Sequence, residues 1–159
     1  MTRLVTIIQM NAMRSQPANR INLPNDILLG YAEELLDQGK EVILTAKGNS
    51  MLPFIRDSKD SVCLKRAERI DIGDIVLAKV PQRGYIMHRI IGLDTDHVTL
   101  MGDGNICGTE TCSRNDIVGC VKEIIKPGDR RRKPTKGRIW RFLKPFRRYL
   151  LFILRRIYK

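Results

Sequence analysis

At 159 residues with 43% apolar side chains, the chain is long enough to bury one hydrophobic core and too short for several large domains. The formal net charge is +12, but it is not spread evenly. From residue 126 onward there are fourteen Lys and Arg against Asp129 alone, so residues 1–125 are close to neutral and the tail is a separate basic device.

Residues 4–8 form an apolar run of five followed by a polar stretch to Arg20, well short of a signal-peptide core or a membrane span. Residues 1–20 therefore read as a disordered or edge-strand extension. Residues 21–125 read as the folded domain. Its clearest helix covers residues 25–38, with Pro24 near the start, Ile27, Leu28, Tyr31, Leu35 and Leu36 on one stripe, and Gly39 as the stop. Strands are predicted at 41–46, 61–65, 74–80, 84–92, 97–101 and 117–125, separated by turns such as Gly73-Asp74, Asp94-Thr95-Asp96 and Gly102-Asp103-Gly104. The fold class is mainly β with one substantial helix. Cys63, Cys107, Cys112 and Cys120 show no C-x-x-C spacing, and His88 and His97 are the only histidines, so no disulfide, metal or cofactor is expected.

Three segments in this order carry chemistry: Gly48-Asn49-Ser50-Met51-Leu52-Pro53, Met87-His88-Arg89 and Gly102-Asp103-Gly104-Asn105. A serine hydroxyl attacks at neutral pH only when a base removes its proton, and Ser50 follows a strand at a glycine-containing turn where a backbone N–H can face an oxyanion. On the strand at 84–92, alternation puts Ile86, His88 and Ile90 on one face, so an imidazole interrupts an apolar row. Alone, such a histidine is more often a satisfied core residue, and a Gly-Asp turn is usually only a turn.

In combination, these segments resemble the signal peptidase I superfamily, which also includes the self-cleaving LexA-like repressors. The resemblance covers residues 41–125. Ser50-Met51-Leu52-Pro53 matches the family's nucleophile box, Gly73-Asp74-Ile75-Val76 a later segment, Gly102 to Asn105 the Gly-Asp-x-Asn box, and Val118-Gly119 its closing strand. His88-Arg89 is similar to the base box of the archaeal and endoplasmic-reticulum type, where bacterial-type members carry Lys-Arg. The resemblance implies a signal-peptidase/LexA-like β-fold and no cofactor, with Ser50 as nucleophile, His88 as general base and Asp103 holding the imidazole. Glu110 is the alternative orienting acid. Gly48, Asn49, Met51 and Pro53 are assigned to the oxyanion and substrate-binding region. Gly48 stands where some relatives place a serine hydroxyl, so the oxyanion hole would rest on backbone donors, chiefly the Ser50 N–H.

Residues 126–137, with Pro127, Gly128, Pro134 and Gly137, read as a flexible basic linker to a basic amphipathic tail at 138–159. The tail stripe contains Phe142, Phe146, Leu150 and Ile153 and is broken at Pro145. Trp140, Phe142, Phe146, Arg147, Arg148, Leu150 and Ile153 are assigned to an anionic membrane surface; the lesser readings are a solvated basic tail docked on its own domain and a nucleic-acid or other partner. The combined expectation is a cytoplasmic serine endopeptidase, peripherally bound to a membrane, that trims a leader or propeptide from a peptide or preprotein. Its alternatives are an inactive adaptor retaining the fold and a self-cleaving repressor-like protein. The latter is disfavoured because those relatives use lysine as base and residues 1–40 offer one good helix, too little for a helix-turn-helix.

Overall fold

The structure, a computed structural model, describes residues 25–157. The extension assigned to residues 1–20 lies outside the described residues. Helix α1, Asn25–Asp37, turns Leu28, Leu29, Ala32, Leu35 and Leu36 inward. Leu28, Leu35 and Leu36 of the expected stripe are buried, but Ile27 is 58% exposed and Tyr31 44% exposed, with Leu29 and Ala32 facing inward in their place. Gly39, at φ +76°, closes the helix as the left-handed residue of a Schellman motif, with Gly39 N–H bonded to the Leu36 carbonyl and Lys40 N–H to that of Leu35.

Eight strands follow: β1 (Val42–Thr45), β2 (Ser61–Lys65), β3 (Ile75–Val80), β4 (Gly84–Leu93), β5 (His97–Met101), β6 (Glu110–Ser113), β7 (Ile117–Lys126) and β8 (Arg130–Arg132). They form one antiparallel sheet in the order β1-β2-β7-β3-β4-β5-β6, with β8 hairpinned onto β7. Both faces of the central strands are covered. Leu77 and Met87 join Leu36, Leu44, Leu64 and Val118 beneath α1, while Val76, Ala78, Ile86, Ile90 and Leu100 build a second cluster on the opposite parity. Cys63, Cys112 and Cys120 are buried thiols, the last two within the second cluster, and burial pushes the pKa of each up to about 11; Cys107 is exposed and none of the four is in a disulfide.

Residues 126–137 are not the flexible linker expected. Lys126 ends β7 and donates to Asp60 at 2.5 Å. Burial alone would raise the Asp60 carboxyl, but hydrogen bonds from Arg56 and Lys126 hold it below its ordinary value. The segment then turns into β8, Lys136 pairs with Asp74 at 2.7 Å, and the Thr135 carbonyl accepts from Arg89 at 2.6 Å. Paired backbone and these charge-assisted bonds replace the freedom that its Pro and Gly content suggests.

The tail folds as α2 (Arg138–Phe142), a 3-10 turn containing Pro145, and α3 (Arg147–Ile157). It lies against the body, where Trp140 and Leu151 are buried with Leu52, and Phe54, Leu143, Leu150 and Leu154 pack around them. Trp140 and Phe54 meet edge-to-face at 6.1 Å. Two residues assigned to a membrane surface, Trp140 and Arg147, are therefore interior, and Leu150 is half-buried. Phe142, Phe146, Arg148 and Ile153 are exposed.

Candidate active site

β1 delivers the chain to a turn that presents Ser50, half-buried, at the edge of the sheet. Met51, Leu52 and Ile55 anchor this turn in the core, and Gly48, at φ +95°, donates its N–H to Asp57 Oδ1 at 2.9 Å. The Ser50 N–H makes no hydrogen bond among the described residues, which leaves a backbone donor beside the hydroxyl. Ala46, Lys47, Gly48, Ser50, Met51, Ile55 and Met87 line a small pocket with about 10 Å³ free. That is room for roughly one water. Gly48 and Met51 line this pocket beside Ser50, whereas Pro53 lies in a separate groove with Arg56 and Lys126.

The turn is clamped to the Gly-Asp-Gly-Asn loop by close backbone approach. Gly104 N–H donates to the Ser50 carbonyl at 2.7 Å, and a Cβ on Gly104 would stand 2.1 Å from the Asn49 carbonyl oxygen. A Cβ on Gly102 would meet the Ser50 carbonyl at 2.5 Å and His88 Nε2 at 3.0 Å. Both glycines are required by space, and Gly102 marks the point where nucleophile turn and imidazole converge.

His88 is buried on β4, with Nδ1 2.9 Å from Glu110 Oε2. The other Glu110 oxygen accepts from Arg83, which reaches in from the β3–β4 turn. Burial lowers the pKa of His88, and Glu110 opposes that shift without reversing it, so the imidazole is neutral at pH 7. A neutral imidazole that donates Nδ1–H to a carboxylate keeps its lone pair on Nε2, the form a general base needs. Ser50 Oγ and Nε2 are not hydrogen-bonded to each other among the described residues. Such a bond is often long before substrate binds.

Asp103, the expected orienting acid, is not on the imidazole. Arg89 Nε and Nη2 grip its carboxylate at 2.9 and 2.7 Å, and Arg89 Nη1 also donates to the Gly73 carbonyl at 2.7 Å. Arg89 is 1% exposed, so this pair is a buried strut. The reason is strand parity: His88 and Arg89 are consecutive on β4 and point to opposite faces. The loop at Asp103 covers the Arg89 face, while the registers Arg89↔Met101 and Leu100↔Glu110 carry Glu110 to the His88 face. β6, with its alternating burial over four mostly polar residues, gave too little apolar signal to be predicted. The position of Glu110 shortly after the Gly-Asp-Gly-Asn box was the available signal.

The tail completes the loop's support. Trp140 Nε1 donates to the Asp103 carbonyl at 2.9 Å, Arg155 to that of Gly104 at 3.0 Å and Arg147 to that of Asn105 at 3.3 Å. Sequence reading held a tail docked on its own domain only as a lesser alternative and named none of these bonds, since arginines and an indole at the tail carry no local mark of what they will touch.

Among known proteins, the family model described as Peptidase S24-like matches residues 9–123, which includes every segment of this site. No curated protein matches the chain.

Proposed function

The chain belongs to the peptidase S24-like family of the LexA/signal peptidase-like serine peptidase superfamily, and from that premise we propose that it is a serine endopeptidase working through Ser50, His88 and Glu110. Ser50 Oγ attacks the scissile carbonyl as His88 Nε2 takes its proton, and the imidazolium then gives that proton to the leaving amine. Water hydrolyses the acyl-enzyme by the same base. Glu110 fixes the Nδ1–H tautomer and balances the imidazolium charge. The Ser50 N–H faces the developing oxyanion. The observation that carries this reading is the 2.9 Å contact between His88 Nδ1 and Glu110, which leaves Nε2 at the Gly102 crossing point beside the Ser50 turn.

Substrate preference follows from the surroundings. Among the described residues β1 pairs with β2 alone, and its outer edge runs toward the nucleophile, suited to an extended peptide added as a strand. A pocket with about 10 Å³ free favours a small side chain before the scissile bond. The client we propose is a leader-bearing peptide or preprotein met on the cytoplasmic face of a membrane.

A fluorophosphonate probe at neutral pH tests the chemistry directly. The wild-type chain should be labelled on Ser50, and Ser50→Ala should be unlabelled while retaining its melting temperature. Labelling elsewhere, or none on a folded wild-type protein, would overturn the assignment.

A further inference from the structure

The described part of α3 divides into two opposed faces. At helical spacing, Arg147, Leu151 and Leu154 turn toward the body, whereas Tyr149, Phe152, Ile153 and Arg156 form the opposite stripe and are exposed. Phe152 is 71% exposed and, in the preceding elements, Phe142 is 86% and Phe146 62% exposed. Tyr149 and Phe152 line one open groove with Ile106, and an exposed apolar patch of that kind is costly on a chain that meets only water.

The charge around them names the occupant. No Asp or Glu follows Asp129, and Arg148 and Arg156 are exposed on α3 with no carboxylate partner among the described residues. An open groove of about 630 Å³ between Ile106 and α3 sets Arg148, Arg155 and Arg156 beside Leu151 and Phe152. An acyl boundary takes the aromatic and aliphatic stripe, and lipid phosphates take the guanidinium groups. No described helix is long and apolar enough to cross a membrane, so the contact is one of lying on the surface.

We infer that the outer face of α2 and α3 is a docking surface for an anionic lipid bilayer, and that it is joined rigidly to the Gly102–Asn105 loop. The inner face supplies that connection, through the bonds from Trp140, Arg155 and Arg147 to three consecutive carbonyls of the loop. The tail is thus a mount that fixes the height and tilt of the Ser50 turn above the lipid, where a swinging tether would fix neither. The inference does not depend on the proposed catalysis, since Ser50→Ala leaves the outer face unchanged.

The test is flotation of the full chain with phosphatidylcholine vesicles, with and without phosphatidylglycerol. The protein should float with the anionic vesicles and hardly with the neutral ones. Phe152→Ser with Ile153→Ser should weaken binding by about a hundredfold, since burial of each such side chain contributes roughly a factor of ten. Arg148→Gln with Arg156→Gln should weaken it further in low salt than in high salt. Both double variants replace outward groups, and unchanged circular dichroism confirms their folds. Four results would overturn the inference: no flotation with anionic vesicles; binding that salt abolishes and Phe152→Ser with Ile153→Ser does not touch; tight, steeply salt-dependent binding to DNA or RNA in place of lipid; or a concentration-dependent dimer, dissolved by the same apolar replacements, that does not float.

Discussion

Glu110→Gln and Asp103→Asn separate the two buried acids, because one faces the reacting imidazole and the other braces the scaffold. Glu110 and His88 are both nearly inaccessible, with Oε2 2.9 Å from Nδ1. At an effective dielectric of about 20, opposite unit charges about 4 Å apart attract by about 4 kcal/mol. That is roughly a thousandfold in the rate of a step that creates an imidazolium. Arg83, bonded to the other Glu110 oxygen and half-exposed, draws off part of this charge, so a loss of about 10² to 10³ is expected. A glutamine also permits the wrong tautomer. The second-order rate of labelling by a fluorophosphonate measures the loss without a known substrate. The pH profile gives a second readout: wild-type labelling should rise with pH through a value below 6.5 and level off by neutrality, as burial lowers His88. Removing the Glu110 charge removes an influence that raises it, so the variant's acid limb should move to lower pH while its plateau falls. Asp103→Asn should behave differently, since it leaves the Arg89 guanidinium, 1% exposed, without its counter-charge. Breaking such a pair costs about 3–5 kcal/mol, read as a lowered melting temperature. Near-normal labelling by a folded Glu110→Gln protein, with Asp103→Asn native in stability and far slower, would refute the assignment.

Gly104→Ala should push the nucleophile turn off the loop, since its Cβ would fall 2.1 Å from the Asn49 carbonyl oxygen, and Gly102→Ala should wedge a methyl group against both the Ser50 carbonyl and His88 and force them away; both should lose labelling by more than they lose melting temperature. Trp140→Ala should destabilise by about 3–5 kcal/mol in a denaturant titration, because it empties the contact with Leu52 and Phe54 and frees the Asp103 carbonyl. Truncation before Arg138 should slow labelling by a soluble probe as well as lipid binding, since the Gly102–Asn105 loop loses three hydrogen bonds; full activity from that truncation would make the tail a mere tether. Acidification should destabilise the fold through His88: its folded pKa is depressed, so the unfolded chain binds more protons and stability falls as pH drops below about 6.5, an effect that His88→Gln should lessen in pH-dependent melting.

Local pattern was enough for the elements whose cause is local. The span of α1 and its stop at Gly39 came from apolar spacing and a left-handed glycine, and six strands came from alternation between turn residues. The order of the Ser50, His88 and Gly-Asp-Gly-Asn segments, and the expectation of a mainly β peptidase fold, were legible for the same reason: motif residues lie close together in the chain. Which acid meets His88 was not, because it depends on the parity of β4 and on two strand registers linking β4 to Glu110, quantities defined only between distant segments. β8, three arginines paired to the end of β7, has no apolar alternation to announce it. The tail shows the limit most clearly. Sequence periodicity marked it as amphipathic, yet a helical projection treats every arginine as solvent-facing. Only the folded body, offering the carbonyls of Asp103, Gly104 and Asn105 and the apolar surface of Leu52 and Phe54, turns Trp140, Arg147 and Leu151 inward and leaves Tyr149, Phe152 and Ile153 on the outside.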